Sequence, residues 1–157
     1  MLFRSCLNSF FSISDAACRK CEYDEPQSTL MHTDDVNLIQ ARTTSPVDEQ
    51  CTRHWPFVGF NTSQVIDFAM QHLDRTDLSP ANMVVLDERS NEDQTCILLS
   101  RNTLSDDGRD YVQVRADFES AVIVLKTIET GCGDGDSQLD MNYAGFDGVL
   151  RISVQHR

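Results

Sequence analysis

Two short β-branched runs on either side of a charged linker constrain this chain most. They are MVVL at 83–86 and TCILLS at 95–100, separated by DERSNEDQ at 87–94. Val and Ile carry two heavy atoms on Cβ, which suits pleated backbone better than helix. Each run is short and bounded by polar residues, so both are expected as strands. The linker is longer than a two-residue hairpin turn, yet antiparallel pairing remains the simplest way to connect them.

The flanking patterns supply the other elements. Asn61, Thr62 and Ser63 are all suited to capping a helix N-terminus. Val65, Ile66, Ala69, Met70 and Leu73 then recur at three- and four-residue spacing, which predicts a helix ending near Arg75, before Pro80. Asn102 to Asp110, with Asp106-Asp107-Gly108, reads as a turn, and YVQVR at 111–115 alternates as a strand with one wet face does. A second helix is expected over 116–130. Asp117 favours its N-terminus, Phe118, Ala121, Val122, Leu125 and Ile128 form its stripe, and Gly131 stops it. The unbroken Val122-Ile123-Val124-Leu125 implies burial on more than one side. GVLRISV, near the end, is a last strand. The order α–β–β–β–α–β describes an α+β domain: a small, mostly antiparallel sheet of about four strands with two helices packed on one face. Strand order does not follow from the pattern.

A length of 157 residues suits one domain. The apolar share is 40 %, below the roughly 45–50 % usual for compact domains, so part of the chain is expected outside the core. Residues 1–54 mix Ser, Thr, Asp, Glu, Gln and Pro without a sustained period, and are expected as a low-order N-terminal extension. Within them DVNLIQA could form a short helix or strand. The α+β domain is expected over 55–157, opening on the apolar cluster WPFVGF.

Charge and cysteine usage limit partner and compartment. Acids number 25 against 13 Lys and Arg, a formal charge of −12, which repels phosphate backbones and anionic lipid. Nucleic-acid and membrane partners are therefore excluded, and a basic or neutral protein is the partner expected. At the N-terminus, Asn8, Ser9, Ser12 and Ser14 break up the apolar run that a secretory leader needs, and Asp15 precedes the small residues of any cleavage site. No run approaches the ~18 apolar residues of a membrane span. The six cysteines, Cys6, Cys18, Cys21, Cys51, Cys96 and Cys132, are irregularly spaced. A reduced, intracellular protein is expected, with a secreted, disulfide-held one as the alternative.

The stretch 82–152 resembles an uncharacterised domain family represented by hypothetical proteins of fungi and bacteria. The resemblance rests on MVVLDERSNEDQTCILL, on YVQVRADFESAVIVLKTIETG and on LDMNYAGFDGVLRI. It covers somewhat less than half the chain and implies a fold, with no catalytic residues.

Asp87, Glu88 and Arg89, with Glu92 and Asp93 close behind, form the densest ionisable cluster. Paired carboxylates beside an arginine can act as general acid and base, or hold a cation or an anion, when burial separates their titration. A solvated, salt-bridged turn produces the same composition. Asp134, Asp136, Gln138 and Asp140 alternate oxygen ligands as a calcium loop does. Counted from Asp134, however, the sixth position is Leu139 and the twelfth Gly145, where an EF-hand needs Gly and Glu. A non-standard cation site at Asp134, Asp136 and Asp140 is the lesser reading, and a solvated acidic loop the simpler one.

Cys18-Arg19-Lys20-Cys21 is a CxxC, but its nearest companions, His32, Cys51 and His54, are irregularly placed and no strand precedes it. Cys96 reads as a core thiol, Cys132 as a loop thiol without an activating neighbour in sequence, and His72 as a helix-surface residue. The glycines at 131, 133 and 135 follow a helix rather than opening one, so nucleotide binding is rejected. Asn61-Thr62-Ser63 is a glycosylation sequon whose nearer role is helix capping. These observations favour a non-catalytic protein-binding or regulatory module without a cofactor. The alternatives are an enzyme centred on Asp87, Glu88 and Arg89, or a secreted disulfide protein.

Overall fold

The computed structural model describes residues 2–20, 29–39, 43, 46–47, 55–73, 80–102, 105, 110–130 and 144–152. They form helices α1 (Leu2–Lys20), α2 (Thr62–His72), α3 (Glu88–Asp93) and α4 (Phe118–Thr130). The strands are β1 (Asn82–Val85), β2 (Thr95–Arg101), β3 (Tyr111–Asp117) and β4 (Val149–Leu150). The sheet order is β1-β2-β3-β4. The first two pairings are antiparallel, whereas β4 lies parallel to β3. The sheet is thus mixed rather than purely antiparallel. Helix α4 is the crossover that a parallel pair requires, because a tight turn can only return a strand antiparallel.

Period-two alternation divides the sheet into two faces. Across β2 and β3, Cys96 lies opposite Ala116, Leu98 opposite Val114 and Ser100 opposite Val112. Cys96, Leu98, Val114 and Ala116 are buried together with Leu150 of β4, with Val84 and Val112 packed against them. The other face carries Ile97 opposite Arg115, Leu99 opposite Gln113 and Arg101 opposite Tyr111. Gln113 is exposed, as the wet face of YVQVR requires.

Helix α4 covers the core face with Phe118, Ala121 and Val124, joined by the partly buried Leu125 and Ile128. It begins where expected, with the Asp117 carboxylate accepting the Ser120 N–H at 2.7 Å. Its neighbour is α1. Cys6, Leu7, Phe10 and Phe11 enter the main cluster, while Ala17 and Cys18 meet Val122. The buried positions of α1 (6, 7, 10, 11, 14, 17 and 18) keep the helical period, and the basic Arg19 and Lys20 close its last turn. Lys20 reaches Glu119 in the first turn of α4 at 2.9 Å.

The core therefore draws on the stretch before Trp55 as well as the one after it. Val47 joins the same cluster, its backbone N–H donating to the Asn8 side chain at 2.8 Å. Of regular structure between α1 and α2, the described residues contain a single 3₁₀ turn, Val36–Leu38, within DVNLIQA.

Helix α2 starts on Asn61, with Gln64 completing a reciprocal capping box. It reaches Leu73 as its C-cap, and Arg75 lies outside the described residues. Its expected place beside α4 is taken by α1, whose Leu7, Phe10 and Phe11 enter the core. Met70 of α2 instead accepts from Arg101 at 3.1 Å and from the Tyr111 hydroxyl at 3.5 Å, residues of the opposite sheet face.

Candidate functional site

The linker between β1 and β2 is a helix rather than an open turn, and its own side chains fold it. Asp87, in extended backbone, is the N-cap of α3. Its Oδ1 accepts the Ser90 N–H at 3.0 Å and the Ser90 hydroxyl at 2.9 Å, while Ser90 Oγ accepts the Asp87 N–H at 2.9 Å. Arg115 reaches over from β3 and binds the same carboxylate with both terminal nitrogens, Nη1 to Oδ1 at 3.2 Å and Nη2 to Oδ2. Arg115 Nη1 also donates to Thr95 Oγ1 at 2.9 Å. The Thr95 hydroxyl donates a hydrogen bond to Asp93 Oδ1 at 2.6 Å, and Arg89 Nε donates to Asp93 Oδ2 at 2.7 Å. A continuous chain thus runs from Arg89 through Asp93, Thr95 and Arg115 to Asp87.

The electrostatics follow from these contacts. Partial burial pushes the Asp87 carboxyl upward, but hydrogen bonds from Arg115 and Ser90, with the guanidinium charge, outweigh it and leave the group below its ordinary value. Asp93 behaves alike, with Thr95 and Arg89 overcoming the effect of desolvation. A carboxylate held ionised, with both oxygens occupied, is a poor proton donor or acceptor near neutrality, where general catalysis wants its titration raised. Asp87 and Arg89 are thus engaged in closing α3 onto the sheet. Glu88, on the exposed side of α3, has no hydrogen bond or ion pair among the described residues. The structure brings Asp87 and Arg89 into one network and leaves Glu88 out of it. Sequence reasoning missed Arg115, Thr95 and Ser90, since their approach to Asp87 depends on strand register and on the linker being helical.

Asp134, Asp136 and Asp140 lie outside the described residues. Among the described residues no group of three His, Cys, Asp or Glu side chains could hold a metal ion. In the CxxC, Cys18 is buried on α1 and Cys21 lies outside the described residues, as do Cys51, His54 and Cys132. Cys6 and Cys96 are free thiols in the core. Burial raises both above the ordinary thiol value, strongly for Cys96, and the Asp87 charge raises Cys6 further. Neither is poised as a nucleophile. His72 is exposed, its ring 4.6 Å from that of Phe68.

The second feature is WPFVGF. Trp55 packs against the core, but the chain then turns outward: the Phe60 N–H donates to the Phe57 carbonyl at 3.0 Å, and Gly59 takes φ +83°. A positive φ at the third position of a turn favours glycine. Val58 is left 78 % exposed and Phe60 39 %. Beneath them, Phe57 contacts Phe60 and Phe68 edge-to-face, with centroids 5.6 and 5.0 Å apart. A shallow depression of about 280 Å³ adjoins this turn, lined by Thr33, Asp34, Trp55 and Pro56. No residue of the Asp87 network lines it. The composition of WPFVGF marks an apolar cluster, and the structure divides it, with Trp55 against the core and Val58 and Phe60 exposed. Gly59, directly after Val58, was the signal that the chain reverses there.

No helix among the described residues is long and apolar enough to cross a membrane. Compared with protein-family models, with curated proteins and with solved structures, the chain matches none.

Proposed function

We propose that this chain is a non-catalytic module that binds a protein partner through the turn at 55–60. The observation that carries this reading is the outward placement of Val58 and Phe60 on a turn fixed by Gly59 and backed by Phe57 and Phe68. Single exposed apolar residues are ordinary, but neighbouring ones on a turn packed against other rings offer a contact whose ordering cost is partly met before binding. With a formal charge of −12, a partner that is basic or neutral around its own apolar contact suits the surface best.

We read the protein as intracellular. Cys6 and Cys96 as core thiols suit a reducing compartment. An enzyme centred on Asp87, Glu88 and Arg89 has less support, because Asp87 is held ionised and its oxygens are already bonded.

The test compares wild-type chain with a Val58→Asp, Phe60→Asp double variant in cross-linking capture from cell extract. Circular dichroism and melting temperature serve as checks on folding. Partners retained by the wild type and lost by an equally folded variant are the expected result. An identical captured set from both proteins would overturn the assignment of the turn as the binding surface.

A further inference from the structure

We draw no further inference here: the strongest candidate, the shallow depression lined by Thr33, Asp34, Trp55 and Pro56 beside the exposed Val58 and Phe60, belongs to the surface already proposed for a partner, and nothing in the structure shows what covers it.

Discussion

Phe10 of α1 meets Phe118 at the start of α4 edge-to-face, with ring centroids 5.3 Å apart and planes at 88°. Both rings are buried, and the pair joins the N-terminal helix to the element that covers the sheet. Truncating a buried Phe to Ala costs about 3–5 kcal/mol, from lost transfer energy and the cavity left behind. Phe10→Ala is expected to lose an amount in that range, read as a lower midpoint in urea at unchanged slope. A chain beginning at Trp55 loses the whole apolar stripe of α1. It is expected to bind a hydrophobic dye and to lack a cooperative melt.

The carboxylates of the α3 corner set an acid limit. Asp87 and Asp93 titrate below their ordinary value in the fold, so the unfolded chain binds protons more readily. Their contribution is therefore fully present above about pH 4 and is lost as pH falls through the lower, folded values. Asp87→Asn is expected to flatten the loss of stability below pH 4, measured by denaturant titration at a series of pH values. Asp87→Ala removes the N-cap and leaves Arg115 without its carboxylate, at a cost of about 2–4 kcal/mol at pH 7.

Gln94 closes α3 in the left-handed region, at φ 56°. A side chain there costs about 1–2 kcal/mol, while glycine adds only about 0.5–1 kcal/mol of chain entropy. The Gln94 side chain is exposed, and its backbone oxygen accepts the Phe118 N–H at 3.2 Å whatever the side chain. Gln94→Gly is therefore expected to stabilise the fold by about 0.5–1 kcal/mol, raising the melting temperature by a few degrees.

Cys6 and Cys96 titrate above the ordinary thiol value because burial disfavours the thiolate. Both are expected to resist an aromatic disulfide reagent at pH 8 in the native protein and to react at once in denaturant. Rapid native labelling of either, located by peptide mass, would contradict their placement in the core.

Local signals were legible where one element decided its own form. The cap residues at 61–63, the β-branched runs of β1 and β2, the alternation of β3 and the stripe of α4 are all patterns within one element. Helix α1 was also written in the sequence, as the spacing of Cys6, Leu7, Phe10, Phe11, Ala17 and Cys18. Its interrupting serines obscure the stripe, although Ser12 merely occupies the exposed face and Ser14 is buried. The Asp87 network was not legible beyond Asp87, Arg89 and Asp93. Arg115 comes from another strand, and its approach depends on a register in which it lies opposite Ile97. The parallel seat of β4 beside β3 depends likewise on where α4 delivers the chain.

The pairing of α1 with α4 also sets a schedule for biosynthesis. Lys20 and its partner Glu119 are 99 residues apart. At about 5–20 residues per second, a ribosome takes roughly 5–20 s to cover that distance. Throughout that interval Leu7, Phe10 and Phe11 lack the α4 side chains that pack on them in the fold. The apolar stripe of α1 is thus completed only when Phe118, near the far end of the sequence, has been added.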